Sequence, residues 1–407
     1  MKKIIISMAA ASLVATSAMA ADKGIDFTTT GQAVVYYNTM GQTSDEMFNQ
    51  DYSRANFGLQ LDNVANLKNG FTLGSQLTYL TTVGLEKNLV SNTMQNTNNS
   101  VATENSISDD IFLSKLYLVK QVANTTVKIG RQELPKSLSP LAFSESWNVF
   151  KNTFDAAVVI NTDLPKTTIV GAYVGKTSGN GIGNDMSSFN DLQVNGALDI
   201  KGPAYMLTVQ NQSLEIATIT ASYYALKDID VAESADAVWL DAKLAAKSMP
   251  MGLQVGLQAG AIMPEATGLD DTTAFGLKAG MNPVKPLTVC AAFSYVNDGT
   301  AHVVNTGTGV KTPLYTQTIG NQDAIKSDNS TVKLKAAYAL GNMGNVLAQG
   351  TYTVDNSDAE QDTIDAELIY TAKVSGMDLL TGYIYNNKLD DKKAANNIVR
   401  VVARYKF

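Results

Sequence analysis

The last eleven residues of the chain, 397–407, read NIVRVVARYKF. Every second side chain in this stretch is apolar, and the set is Val399, Val401, Ala403, Tyr405 and Phe407. The positions between them carry Arg400, Arg404 and Lys406. Because successive side chains of a strand point to opposite faces, this pattern predicts a strand with one apolar and one largely basic face. The stretch is long enough to cross a bilayer, which takes roughly 9–11 residues of tilted strand. A strand at the end of a soluble sheet is the alternative.

The other end of the chain predicts export. Residues 1–20 contain two early lysines, an apolar stretch and the small-x-small sequence Ala18-Met19-Ala20, which together form a secretory signal peptide. We therefore expect a leader over residues 1–20 and a single barrel domain over residues 21–407. The apolar stretch is too short for a permanent transmembrane helix, and no later stretch approaches the roughly 18 apolar residues that such a helix needs.

Composition narrows the class of protein. Loss of the two leader lysines changes the net charge from −7 to −9, which argues against a nucleic-acid partner. Cys290 is the only cysteine, so no intramolecular disulfide forms, and its alternation with Val289 and Ala291 predicts a small inward side chain. The 17 tyrosines and two tryptophans are typical of interfacial girdles built mostly from tyrosine.

Alternating segments separated by turn residues recur along the whole chain. They predict an all-β fold, a transmembrane antiparallel β-barrel with short turns at one end and long extracellular loops at the other. The region 178–214 contains one strand whose start the pattern does not fix, so 16 strands is the alternative to 18. The 18 predicted strands are 27–38, 52–62, 71–82, 111–121, 126–132, 155–161, 167–176, one ending near 210, 215–226, 237–247, 252–262, 272–280, 287–295, 331–340, 345–354, 363–374, 378–387 and 397–407.

One internal region resembles a known family. It reads VKIGRQELP at 127–135, FSESWNVFKNTFDAA at 143–157, NTDLP at 161–165 and VGAYVG at 170–175. This region resembles the major outer membrane porins of Campylobacter-type bacteria, and its Gly-Arg-Gln step before a proline-containing loop resembles the wider family of substrate-specific outer-membrane channels. The terminal Phe407 is also similar to the ending that outer-membrane assembly machinery reads. The resemblance implies an 18-stranded barrel, commonly a homotrimer, whose third long loop folds into the pore.

The function implied by this resemblance is passive diffusion of ions and small hydrophilic solutes across the bacterial outer membrane, with lipid and lipopolysaccharide around the barrel. No enzyme is expected, because barrel hydrolases need a histidine beside a nucleophile, and His302 stands alone in a loop. The alternative function is a surface adhesin or receptor that acts through the long loops 84–109 and 297–329.

Charged side chains at the narrowest part of a pore set its selectivity. Strand parity predicts an inward basic set of Arg54, Lys333, Lys335, Arg400 and Arg404, to which Lys128, Lys243 and Lys278 are added by the same rule. The inserted loop would supply acidic groups through Glu133, Glu145 and Asp155. Arg131 begins on the apolar-face parity, where charge costs about 2–4 kcal/mol at mid-membrane. We therefore expect the strand to end or bulge there and turn Arg131 inward.

Two further expectations concern the same region. Trp147, Phe150 and Phe154 are expected to hold the inserted loop against the inner wall. Calcium takes oxygen ligands, and Asp109, Asp110 and Asp155 flank the constriction region, so they are its candidate ligands, with plain lumen charge as the alternative. No other metal or cofactor is expected.

Overall fold

The computed structural model describes residues 26–91, 110–179, 187–192, 200–229, 232–245, 249–321, 325–357, 361–389 and 395–407. The expected leader and Asp109 lie outside these ranges. The strands are β1 (Asp26–Gly41), β2 (Ser53–Asn66), β3 (Phe71–Thr81), β4 (Asp110–Val122), β5 (Thr125–Gln132), β6 (Phe154–Asn161), β7 (Thr167–Thr177), β8 (Ala204–Asn211), β9 (Ala217–Ile229), β10 (Ala232–Ala245), β11 (Gln254–Pro264), β12 (Thr272–Val284), β13 (Leu287–Val296), β14 (Asn329–Ala339), β15 (Asn345–Asp355), β16 (Thr363–Val374), β17 (Met377–Lys388) and β18 (Asn396–Lys406).

These strands form one 18-stranded antiparallel sheet that closes on itself, which confirms 18 strands over 16. Short 3-10 turns accompany them at Gln50–Tyr52, Lys68–Gly70, Leu85–Lys87, Pro250–Gly252 and Gly341–Met343. Within the described ranges, no helix is long and apolar enough to cross a membrane.

The C-terminal strand closes the barrel. β18 pairs with β1 from Gln32 opposite Lys406 to Gly41 opposite Asn397. The backbones of Gly31 and Phe407 exchange hydrogen bonds of 2.8 and 3.0 Å, and a Cβ at position 31 would lie 2.6 Å from the Phe407 ring. Glycine at position 31 therefore leaves room for the terminal aromatic ring at the seam.

Connection lengths follow the predicted asymmetry in part. Turns of two to eight residues join the strands at one end, as between β4 and β5 or β12 and β13, whereas at the other end five connections have 11 residues or more and three have seven. The connection between β9 and β10 departs most from the prediction, because β9 ends at Ile229 and β10 begins at Ala232. Both strands run further than predicted because pairing continues up to Ile229 opposite Ala232.

Two long loops fold into the barrel. We call residues 133–153 loop 3 and residues 297–328 loop 7, and we call the face of the sheet that contacts them the lumen face. Loop 3 was expected inside, and the structure confirms it. Loop 7 was expected on the surface, and that expectation is wrong for its described part, which is buried at Val303, Asn305, Leu314 and Thr318. Its threonines and asparagines read as a solvated loop, but they bond to a polar inner wall, as Thr316 does to Ser294 at 2.6 Å.

Candidate functional site: the lumen constriction

Loop 3 is fixed to the wall by the two arginines of β18. Arg400 donates from Nη1 to the Trp147 carbonyl at 3.1 Å, and Arg404 donates from Nη2 to the Val149 carbonyl at 2.9 Å. Both also bond to β1, Arg400 to Asn38 at 3.1 Å and Arg404 to the Gln32 amide oxygen at 2.6 Å. The predicted inward arginines therefore lie in the lumen, where they position the loop backbone.

Aromatic packing supports the same attachment. Val149 and Phe150 are buried against Val34, Tyr36 and Leu80 of the wall. A Cβ at Gly58 would lie 2.6 Å from the Phe150 ring, so a residue without a side chain is needed beneath it. Phe154 differs from expectation, because its ring packs on Gly307 of loop 7 instead of holding loop 3 to the wall.

Glu145 joins the two loops. Its carboxylate accepts hydrogen bonds from the Asn305 amide at 2.6 Å, the Thr308 hydroxyl at 2.5 Å and the indole N–H of Trp147. The side chain is only 3% exposed. Glu145 was expected to present its charge to the pore, and the structure corrects this: the carboxylate is enclosed by donors at the contact between loop 3 and loop 7. The two loops therefore form one packed unit.

Glu133 stands at the start of loop 3 in a small ionic network. Its carboxylate lies 2.6 Å from Lys115 and 2.7 Å from Lys151, and Lys115 lies 3.7 Å from Asp62. Burial opposes ionisation of Glu133, but the two lysines outweigh it and hold its pKa below the usual value. Parity alone did not point to Lys115, because the register of β4 shifts next to Ser114.

Arg131 and Asp155 lie on the outer face of the barrel. Arg131 is opposite Leu116, a side chain 48% exposed on the outside, and Asp155 is opposite Arg131. The inward turn expected of Arg131, and the pore-lining role expected of both residues, are therefore corrected. The charge of Arg131 is neutralised on the outer face by Asp155. Arg131 donates to both carboxylate oxygens of Asp155 at 2.9 and 3.2 Å and to the Leu113 carbonyl at 2.9 Å, and the Phe189 ring covers it at 3.3 Å.

Replacing Asp155 by alanine should destabilise the barrel by about 1–3 kcal/mol, because the guanidinium of Arg131 would lose its charged partner on the outer face. The measurement is the temperature at which the folded, fast-migrating form is lost on a heat-modifiability gel. The matched control is Arg131→Met combined with Asp155→Leu, which removes both charges and should lose less stability than Asp155→Ala alone. Equal loss in the two variants would contradict the role given to the ion pair.

Loop 7 is held by polar groups of β14 and β16. The ammonium of Lys333 donates to the Gln317 carbonyl at 2.7 Å. Asp365 accepts from the Thr318 hydroxyl at 2.7 Å, and Glu367 accepts from the backbone N–H of Gly320 at 2.7 Å. A Cβ at Gly320 would lie 1.9 Å from Asp365, so the loop approaches the wall as closely as glycine allows.

The lumen holds two neighbouring cavities, and residues of loop 3 and loop 7 line both of them. One has a volume of about 1000 Å³ and the other about 590 Å³, and they share Ser146, Trp147 and Lys311. We call the smaller one the lysine chamber. Its lining includes two predicted strand lysines and two loop lysines, together with two acids: Lys243, Lys278, Lys136, Lys311, Asp241 and Glu145.

The remaining predicted cations are spread around the wall. Arg54 is opposite Asn38, and Lys335 is opposite Cys290 and Gln349. Both cations therefore lie on the lumen face. Lys128 lies 3.8 Å from the Tyr117 ring centre. Neither Arg54 nor Lys128 lines the two cavities. The structure therefore brings together only part of the predicted basic set.

Sequence reasoning missed Lys136 and Lys311, because strand parity cannot place loop side chains. A signal was present for Lys311, since the sequence VKTPL at 310–314 places apolar residues in a loop that otherwise reads as solvated. Burial of the ammonium group lowers the pKa of each of these lysines to about 8. For Lys136, repulsion from the charge of Lys311 is the second largest cause of the lowered pKa.

The calcium candidates do not converge. Asp110 is opposite Leu80 on the lumen face, whereas Asp155 lies on the outer face, so these two cannot share an ion. Among the residues that the structure describes, no group of three or more acids, histidines or cysteines is close enough to hold a metal.

No family model matches the chain, and no curated protein matches it. Solved porin structures do match. OpdK of Pseudomonas aeruginosa, solved with vanillate, superposes with a TM-score of 0.75 at 13% identity, covering 94% of this chain and 98% of that one. A BenF-like porin of Pseudomonas fluorescens gives 0.74 at 12% identity over the same shares, and OccAB2 of Acinetobacter baumannii gives 0.74 at 13% over the same shares.

The fold is that of these outer-membrane porins. The match extends over nearly the full length of both chains, so it concerns the whole barrel and not one part of it. At this level of identity the likeness establishes the architecture, while the chemistry of the lumen has to be argued from this chain's own residues.

Proposed function

We propose that the chain is a bacterial outer-membrane porin, a water-filled channel for passive diffusion of ions and small hydrophilic solutes, with a preference for anions. The observation that carries the proposal is the closed barrel whose lumen is narrowed by two loops yet retains cavities of about 1000 and 590 Å³ lined by charged side chains. Wide channels select ions through the charges at their narrow part.

The preference for anions follows from the charges that line the two cavities. Eight basic residues stand against three acidic ones, Glu145, Asp241 and Asp378. Glu145 is already enclosed by hydrogen-bond donors. The lumen is therefore positive although the chain as a whole is acidic. The vanillate in the OpdK structure, a small carboxylate, agrees with this preference.

We also infer to which group of porins this chain is related. The resemblance over residues 126–176, the 18 strands and the inward third loop support placement near the Campylobacter-type porins, among the substrate-specific channels. That placement implies a homotrimer in a membrane of lipid and lipopolysaccharide, reached through a cleaved leader. The surface-receptor alternative loses one of its two loops, because described residues of loop 7 contact the inner wall.

Anion preference should fall as the pH rises from 7 to 9. Lys136 and Lys311 have pKa values of about 8, so their charges are present below that pH and are lost above it. The measurement is the zero-current potential in a KCl gradient across a planar bilayer at successive pH values. In Lys136→Gln with Lys311→Gln, the potential at pH 7 should already resemble that of the wild-type protein at pH 9. A potential that does not change over this range would contradict the role of the two lysines.

A further inference from the structure

We propose that three charged side chains on the outer face of the barrel form a binding site for the phosphate headgroup of an outer-leaflet lipid. They are Arg131 of β5, Asp155 of β6 and Lys176 of β7. Asp155 is opposite Arg131 on one side and opposite Lys176 on the other, so the three form one row, which we call the outer row. The inference rests on the proposed function, because that function places the loop end of the barrel in the outer leaflet.

The side chain of Lys176 points away from the lumen. Its neighbour Thr177 is fully buried and donates its hydroxyl to the Gly307 carbonyl of loop 7 at 2.8 Å, so Thr177 faces the lumen. Adjacent side chains of a strand point to opposite faces. The register shift next to Asp155 brings Lys176 directly opposite that carboxylate. Lys176 is therefore an exposed cation on the outer surface.

The outer row lies at the edge of the bilayer and not in its middle. Arg131 is the next-to-last residue of β5, Asp155 is the second residue of β6, and Lys176 is the next-to-last residue of β7. The cost of a charge on the lipid-facing surface falls toward the membrane surface, where the headgroups are. Toward the middle of the strands the outer face is apolar, with Ile129 and Leu118 exposed and opposite each other. The acyl chains of a lipid fit this apolar part.

Two exposed tyrosines mark the boundary between headgroups and acyl chains. Tyr173 of β7 and Tyr205 of β8 are opposite each other and pack edge to face, with ring centres 5.6 Å apart. Tyrosine is enriched at this boundary in membrane proteins. Lys176 follows Tyr173 by three residues in the direction of the strand end. The outer row is therefore on the headgroup side of the boundary.

One positive charge of the outer row has no partner in the described part of the chain. Arg131 and Asp155 neutralise each other, whereas Lys176 makes no ion pair or hydrogen bond with any residue that the structure describes. A phosphate monoester carries roughly −1.5 to −2 charges at pH 7, so it complements this ammonium group. Because the outer row faces the membrane, the anions that reach it are the phosphates of lipid headgroups.

Arg131 offers further donors in a fixed position. A guanidinium has five N–H donors, and three of them are used, two by Asp155 and one by the Leu113 carbonyl. The Phe189 ring covers one face of the guanidinium at 3.3 Å and leaves its edge accessible. Neighbouring strands lie about 4.8 Å apart, so Arg131 and Lys176 start about 10 Å from each other, within the reach of both side chains. Both can therefore donate to one phosphate, and charged donors bind phosphate most strongly.

Native mass spectrometry of the folded mature protein, prepared in detergent without lipopolysaccharide, measures this binding. The probe is lipid A, whose sugar headgroup carries phosphate monoesters. We expect saturable binding, and Lys176→Gln should raise the half-saturating concentration by about tenfold, since a charged hydrogen bond is lost. Lys176→Arg should restore most of the binding. The matched control is Lys166→Gln, at the opposite end of the β6–β7 hairpin, which should bind like the wild-type protein. Heat-modifiability establishes that each variant is folded.

Two further ligands identify the source of the phosphate. Lipid A without its phosphates should bind at least about tenfold more weakly, and inorganic phosphate at equal concentration should not displace lipid A. Equal binding of the two lipids, or equal binding by the wild-type and Lys176→Gln proteins, would overturn the site. Displacement by inorganic phosphate would overturn the assignment to a lipid.

Conductance in a planar bilayer separates this inference from the proposed function. A protein that conducts KCl but binds both lipids equally contradicts the lipid site and leaves the channel standing. A protein that prefers phosphorylated lipid A but never conducts contradicts the channel and leaves the lipid site standing.

Discussion

Glu145→Ala should separate loop 3 from loop 7 and raise both the mean single-channel conductance and its noise. The carboxylate accepts from Asn305, Thr308 and Trp147, and its removal takes this acceptor from the Thr308 hydroxyl and the Trp147 indole N–H, while the Asn305 amide keeps the Phe143 carbonyl at 2.8 Å. Hydrogen bonds to a charged group contribute about 1.5–3 kcal/mol each, so the contact between the loops should weaken by about 2–4 kcal/mol after relaxation. This is enough to change the population of the closed arrangement by about a hundredfold.

Glu145→Gln is the matched control for this variant, because its amide oxygen still accepts from two of the three donors. Its conductance should stay closer to that of the wild-type protein. If Glu145→Ala conducts with the same amplitude and noise as wild type, the carboxylate does not hold the loops together.

The double variant Asp365→Ala, Glu367→Ala should have the second large effect, release of loop 7 from the wall. It removes the acceptors for the Thr318 hydroxyl and for the backbone N–H groups of Ile319 and Gly320. We expect the attachment to weaken by about 3–5 kcal/mol and the conductance to rise, since the loop no longer narrows the lumen.

Proteolysis provides the direct measurement for this double variant. Protease added to the folded protein should cut within residues 311–326 of the variant much faster than in wild type. Asp378→Ala is the control, because Asp378 pairs with Lys406 and Lys373 at the turn end and makes no hydrogen bond or ion pair to the described residues of loop 7. Equal cutting of the wild-type and Asp365→Ala, Glu367→Ala proteins would show that the two carboxylates do not retain the loop.

The barrel could be predicted from the sequence because its strands follow a period of two. Parity placed Arg400 and Arg404 on the lumen face, and the register with β1 puts them opposite Asn38 and Val34. The same rule located Lys278 and Lys333, which share a row across β12, β13 and β14. What parity could not supply was the partner of each charge, which depends on how the loops fold.

Arg131 illustrates the limit on the outer face. The cost of a charge facing lipid suggested that the residue must turn inward, but the chain offsets that cost with Asp155 on the next strand and with Phe189. One register shift lies next to Ser114 on β4, where it brings Lys115 to the lumen, and another lies next to Asp155 on β6. A cross-strand partner more than twenty residues away in sequence cannot be identified from the local pattern.

Loop 7 illustrates the limit inside the barrel. Its threonine and asparagine content is typical of an exposed loop, yet the lumen wall is polar too, so the same side chains find partners there. The composition of a segment indicates whether it faces a polar or an apolar environment. It does not indicate whether that polar environment is the external water or the polar wall of the lumen. The functional lysines Lys136 and Lys311 belong to such segments, and only the folded chain brings them together with Lys278.

The most direct test of the whole account is single-channel recording of the mature protein in a planar bilayer under a KCl gradient. A water-filled channel with a positive lumen predicts stable ohmic steps and a zero-current potential of anion-selective sign at pH 7. A folded, heat-modifiable barrel that gives no steps would contradict the channel, and steps with a cation-selective potential would contradict the role assigned to the lysine-lined lumen.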